Sequence, residues 1–142
     1  MKLNSMNLNV KIITPQKIAY ESETDMVTAP ALDGEITILP SHTSYFSPLE
    51  EGIIELKSDK NEFFFAIGGG YIQTDGKIVT ILVSRAKGQD EIDEHEITAA
   101  RGRADKMIAT AKTDEVRKEA IELLRRSTID LKLLSKIKRK RM

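Results

Sequence analysis

At Ser84 the vocabulary of the chain changes, and that change limits the folds open to it. All 4 Pro, 6 of the 8 Gly, and every one of the 3 Tyr and 4 Phe precede it. After it the chain is written mainly in Ala, Leu, Ile, Lys, Arg and Glu. Turn formers and aromatics suit strands joined by tight turns, whereas unbranched and long charged side chains suit helices. The charge divides at the same place. Overall, 22 basic and 22 acidic residues cancel, but residues 1–84 hold 6 basic and 11 acidic (net −5) and residues 85–142 hold 16 and 11 (net +5). Two parts of opposite sign face different surroundings.

The first part reads as short strands. Leu8, Val10 and Ile12 alternate with Asn7, Asn9 and Lys11, which is a period of two, and Pro15 ends that run. Residues 26–29 form a second strand stopped by Pro30, and residues 36–39 follow the Leu32-Asp33-Gly34 turn up to Pro40. Residues 53–56 and 63–67 flank a polar tip, Ser58-Asp59-Lys60-Asn61, expected to be a loop longer than two residues. Residues 71–73 and 78–83 flank Asp75-Gly76. Many short strands with no helices between them predict an antiparallel β-sandwich or barrel.

The second part reads as two helices. Ile97, Ala100, Ala104, Met107, Ile108 and Ala111 recur at steps of three and four, starting from a capping-box-like Asp93 and Glu96. Thr113 is placed to cap a second helix, with Asp114 and Glu115 at its positive end and Ala120, Leu123, Leu124, Leu131 and Leu134 on one side. The expected architecture is an N-terminal antiparallel β-sandwich over residues 1–86 and a C-terminal antiparallel helical hairpin over 87–142. The Ala-rich stripes are narrow, so the hairpin should need a partner, either the β-domain or another protein.

Several chemistries are excluded at once. With 0 Cys there is no disulfide framework, thiolate site or Cys nucleophile, and 2 His rule out a His-rich metal site. No apolar run approaches ~18 residues, and the N-terminus has no apolar signal region, so the chain is expected to stay in the cytosol. Gly68-Gly69-Gly70 is followed by no Lys-Ser/Thr and opens no helix, so it reads as a bend or close backbone approach between strands and not as a phosphate loop. His42 has Ser41 and Ser44 near it in sequence, but neither serine lies on a nucleophile elbow, so a structural or interface histidine is expected. His95 reads as a solvated helix residue. Asp90, Glu91, Asp93, Glu94 and Glu96 lack calcium-loop spacing and suit a helix N-terminus. The tail Lys136-Ile137-Lys138-Arg139-Lys140-Arg141 could meet phosphates, an acidic protein surface or only solvent, and no aromatic after Tyr71 offers a stacking platform.

The order of these pieces resembles the epsilon subunits of bacterial F-type ATP synthases (delta in mitochondria). The resemblance starts at Ile12-Ile13-Thr14-Pro15 and continues through Val27-Thr28-Ala29-Pro30. Its most specific stretch is Asp33-Gly34-Glu35-Ile36-Thr37-Ile38-Leu39-Pro40-Ser41-His42, similar to a Gly-x-x-Gly-Ile-x-Pro-x-His pattern with Thr37 for the second Gly. Leu49, Gly52, Gly69-Gly70-Tyr71-Ile72-Gln73, residues 79–86, the linker Gly88-Gln89-Asp90 and the two-helix tail follow in order. The resemblance implies a non-catalytic rotor part of a proton-translocating ATP synthase, peripheral on the cytoplasmic face of a bacterial membrane. Its β-domain would hold the gamma subunit and sit on the c-subunit ring, with Glu35 facing the ring and Ser41 and His42 near gamma and the ring. Its hairpin would extend into the head and block ATP hydrolysis, with Arg125, Arg126, Lys132 and Lys136 meeting acidic surfaces of the alpha and beta subunits.

Some members bind ATP through Ile/Leu-Asp-x-x-Arg-Ala. Here Ile92 and Asp93 match, Glu96 and Ile97 depart, Arg103 and Arg126 stand at further basic positions, and Asp130 falls where another Arg would help. Glu in place of Arg sets like charge against a triphosphate, so ATP binding is expected to be weak or absent and no cofactor is implied. Two other readings compete. One is a freestanding anion- or nucleic-acid-binding module with a basic helical tail. The other is a small hydrolase using Ser41, Ser44 or His42. The acidic β-domain and missing aromatic platform weigh against nucleic acid as a partner.

Overall fold

The computed structural model describes residues 7–59 and 61–140, of Lys140 the backbone only. Expectations about the N-terminal five residues, Lys60, the Lys140 side chain and Arg141 lie outside the described residues. The chain divides into two compact units, Met1–Gln89 and Asp90–Met142.

The described residues of the first unit form ten strands: β1 (Leu8–Ile13), β2 (Ile18–Thr24), β3 (Met26–Ala31), β4 (Gly34–Ile38), β5 (Tyr45–Leu49), β6 (Gly52–Ser58), β7 (Asn61–Ile67), β8 (Gly70–Thr74), β9 (Ile78–Val83) and β10 (Ala86–Gly88). Their order is β10-β7-β6-β3-β5-β8-β9-β1-β2, with β4 beside β3. All neighbours are antiparallel except β1 and β9, which run parallel. The sheet folds over into a sandwich because alternate residues are apolar. Leu8, Val10 and Ile12 of β1, Ile54 and Leu56 of β6, Ile72 of β8, and Val79 and Ile81 of β9 are all buried in one core. Each such side chain contributes ~1.5–3 kcal/mol by leaving water.

Four readings of the strands need correction. Pro30 does not stop β3, because its carbonyl points to the Glu50 amide (2.9 Å) and its missing N–H falls on that side, off the ladder to β4. The 58–61 tip is a tight loop, since Ser58 pairs with Asn61; Asp59 takes the left-handed conformation (φ 48°) and its amide donates to Asp25 Oδ2 at 2.7 Å. β2 and β5 appear where no strand is expected. β2 lies at the sheet edge with a largely polar, exposed sequence, and β5 buries only Ser47 and Leu49 around Pro48. The segment read as linker begins as strand: Gly88 pairs with Phe65, and Gln89 Oε1 accepts the Phe64 amide at 2.9 Å.

The second unit holds α1 (Glu94–Thr110) and α2 (Asp114–Lys140). Asp93 caps α1, its carboxylate accepting from the amides of His95 (2.9 Å) and Glu96 (3.4 Å). Thr113 Oγ1 accepts from the Val116 amide at 3.2 Å and opens α2. The short link and the Lys138–Glu94 ion pair (3.2 Å) make the helices antiparallel. At ~1.5 Å per residue they are about 25 and 40 Å long. Ile97 and Ala104 of α1 and Ala120 of α2 are buried. Beyond the expected stripe, α2 carries a second apolar line of Ile129, Leu133 and Ile137, roughly half a turn round from Ala120 and Leu124.

Candidate functional site

The outward side chains of the β5-β8-β9-β1-β2 layer form a surface that single strands do not reveal. The register aligns Pro48 with Tyr71, Tyr71 with Leu82, Leu82 with Ile13, and Ile13 with Ile18. Each sits on the face opposite the core. The result is an unbroken apolar row across five strands, about 19 Å long at ~4.8 Å per strand. Ile18 (53% exposed) and Tyr71 (42%) are open to contact, and Phe46 (59%) lies beside Tyr71 with ring centroids 5.4 Å apart. A β-bulge between Ile12 and Ile13 brings Ile18 into the row. The next row, Phe46, Gln73, Thr80, Lys11 and Glu21, is mostly polar, with Lys11 and Glu21 paired at 3.4 Å.

Beside Ile13 and Leu82 an open apolar groove of about 390 Å³ runs between Thr14-Pro15 and Gly69-Gly70. Gly70 in its wall is a close approach of two strands: a Cβ there would overlap the Leu82 carbonyl. Of the glycine triplet, Gly70 is the close backbone approach; Gly68 makes room for the Ser84 side chain, and Gly69 has space for a Cβ.

Glu35 is exposed on β4, in the outward set with Thr37; the Thr37 hydroxyl meets that of Thr28 at 3.2 Å. Ser41 and His42 lie in the loop between β4 and β5. Ser41 has φ 67°, a strained conformation for a non-glycine residue, and its amide donates to the Gly76 carbonyl at 2.9 Å. His42 is half-buried, its Nδ1 2.7 Å from the Thr43 carbonyl and its ring edge-on to Tyr45. The turn below is held by Asp75, whose Oδ1 accepts the amides of Ile78 and Lys77 (2.9 Å each); these bonds hold its carboxyl below the ordinary value. No hydrogen bond or ion pair joins Glu35, Ser41, Ser44 and His42 among the described residues.

On α2, Arg125, Lys132 and Lys136 are exposed and fall within about 40° of one another around the axis, with Arg126 about 100° away. Ile92 precedes α1, the Asp93 carboxylate is occupied in capping, and Arg103 is exposed on α1. No hydrogen bond or ion pair gathers Asp93, Arg103 and Arg126 among the described residues. Among the described residues no group of three metal-ligating side chains gathers either, and no helix is long and apolar enough to cross a membrane.

Sequence reasoning missed the apolar row. Tyr71 and Ile13 each sit on the polar-looking face of their own strand, and only the register unites them. The available signal was the exposed face of each strand carrying one large apolar residue in place of a polar one.

The family model "ATP synthase, Delta/Epsilon chain, beta-sandwich domain" matches residues 7–89. An ATP synthase epsilon chain of Halalkalibacterium halodurans is 34% identical over 122 residues, 85% of this chain and 92% of that one. One from Herpetosiphon aurantiacus is 32% identical over 136 residues, 96% and 99% of the two chains. Among solved structures, a chain of the Euglena gracilis mitochondrial ATP synthase (OSCP/F1/c-ring) superposes with a TM-score of 0.73 at 18% identity, over 96% of this chain and 87% of that one. A chain of the Tetrahymena thermophila mitochondrial ATP synthase central stalk and c-ring gives 0.52 at 20%, over 90% and 99%. At those identities the likeness is one of fold. The match over the β-domain, and relatives above 30% identity along most of the chain, establish that this chain belongs to the ATP synthase delta/epsilon family.

Proposed function

We propose that the chain is the epsilon-type subunit of a proton-translocating rotary ATP synthase. It is a non-catalytic part of the central stalk that joins gamma to the c ring on the cytoplasmic face of a bacterial membrane. The observation that carries this reading is the apolar row Pro48–Tyr71–Leu82–Ile13–Ile18 with Phe46 beside it. An exposed apolar stripe on an acidic β-domain suits a permanently held partner, for which gamma is the candidate. Glu35 and the Ser41–His42 loop are assigned to the c-ring end. The His42 ring bonds its own neighbour Thr43 and no serine among the described residues, which favours an interface role over hydrolase chemistry.

The hairpin is assigned the role of a brake on ATP hydrolysis. Its two apolar lines on α2 let it pack on more than one surface, and Arg125, Lys132 and Lys136 on one face suit acidic surfaces of alpha and beta. ATP is not assigned as a ligand: Asp93 is spent on capping and Glu96 opposes a triphosphate. Micromolar MgATP affinity by calorimetry would reverse that assignment. The experiment for the brake compares hydrolysis by the head-plus-gamma complex with no addition, with the full chain, and with Arg125→Glu/Lys132→Glu/Lys136→Glu. Slowing by the full chain that is relieved by the charge reversal is expected. Equal rates in all three would reduce the hairpin to a coupling element.

A further inference from the structure

The fold leaves one side of β4 open. The Pro30 carbonyl faces the Glu50 amide, so Ala29 and Ala31 face β4, because backbone groups alternate sides along a strand. Their partners Ile36 and Gly34 face back, and the N–H and C=O groups of Glu35 and Thr37 point off the sheet. Among the described residues β4 pairs only with β3, and no hydrogen bond reaches those four groups. Beyond them the edge closes, since the Leu39 carbonyl accepts the His42 amide at 3.1 Å. Protected edges carry bulges or covering segments; this one is regular in register and flanked by the exposed Leu32 and Leu39.

We propose that the β4 edge accepts an added strand, an extended basic segment of another chain of the same assembly, bonded to the backbone of Glu35 and Thr37. This rests on the subunit reading above and goes beyond a side-chain charge pair at Glu35. Residues opposite Glu35 and Thr37 share their outer face, while the residue between them lies over half-buried Ile36 on the inner face. The fitting segment therefore reads basic–apolar–polar. A basic residue is argued from Asp33 and Glu35, both exposed at this edge, and from the net −5 of residues 1–84.

Hydrogen exchange on the full chain, free and bound to a gamma–c-ring complex, tests the proposal. The Glu35 and Thr37 amides should exchange freely alone and slow about 100-fold in the complex, while Ile36 and Ile38 are protected in both. Thr37→Pro removes an outward donor, leaves the backbone ladder to β3 and gives up only the Thr37–Thr28 hydroxyl contact, and should weaken binding about fivefold to tenfold. Glu35→Lys should weaken it more than Glu35→Gln. If Thr37→Pro fails to fold, the exchange result on the parent chain decides. A complex that forms with both amides still exchanging freely overturns the proposal and leaves the subunit reading intact. Protection already present in the free chain overturns it too, whether from its own residues or, if concentration-dependent, from a second copy. Failure of the parent chain to bind at all overturns the subunit reading itself, and the proposal with it.

Discussion

Replacing Tyr71 by alanine should weaken the hold on gamma by about 30-fold while leaving the β-domain folded. Tyr71 is 42% exposed, which at roughly 200 Å² for a whole tyrosine leaves about 85 Å² to cover. At ~25 cal/mol per Å² that area contributes about 2 kcal/mol when a partner covers it, or about 30-fold in Kd. Phe46, at 59%, leaves about 120 Å² and about 3 kcal/mol. The two rings touch at 5.4 Å, so the double variant should lose less than the sum. Neither ring is in the core, but truncating Tyr71 also removes the part of its surface that the free chain already covers, about 115 Å² and at most ~3 kcal/mol, which lowers the melt without unfolding the domain. Titration calorimetry of each full-length variant against gamma measures the loss, with thermal melts by circular dichroism as the fold control. Binding within twofold of the parent for both variants, with both still folded in the melts, would show that this face is not the gamma surface.

Other expectations follow from single sites. Gly70→Ala pushes a Cβ into the Leu82 carbonyl between β8 and β9, and denaturant melts should show a loss of about 2 kcal/mol or more. Thr24 is buried with no partner for its hydroxyl among the described residues, so Thr24→Val should leave stability unchanged or raised in the same assay. The Asp75 carboxyl is held low by the Ile78 and Lys77 amides, so its native pKa lies below the unfolded one. Its contribution is therefore present above about pH 4 and lost as pH falls through the native value; Asp75→Asn should flatten the acid limb of the stability–pH curve. Thr113→Ala removes the cap on α2 and should lower hairpin helicity at the far end, costing about 1 kcal/mol by hydrogen exchange.

Periodicity made the core strands and both helices legible. Leu8, Val10 and Ile12 alternate with polar neighbours, and Thr113 announces α2, because a buried face and a cap are both local demands. β2 and β5 were hidden because an edge strand and a Pro-containing strand bury too few residues to show a period. Pro30 misled because proline blocks a ladder on one side only, and which side faces β4 depends on the fold. The second line on α2, Ile129, Leu133 and Ile137, stands apart from the stripe set by Ala120 and Leu124, so one helical period does not contain both. Glu35, Ser41 and His42 were legible only through resemblance, since no bond among the described residues joins them. The apolar row was illegible because Tyr71, Leu82 and Ile13 meet only through registers spanning three strands.

Whether the subunit is held between gamma and the c ring is decided by mixing the full chain with a purified gamma–c-ring complex and measuring bound stoichiometry. One copy per gamma should survive gel filtration, with the Tyr71→Ala chain dissociating on the column. A full chain that elutes alone at concentrations where the complex is intact would contradict it.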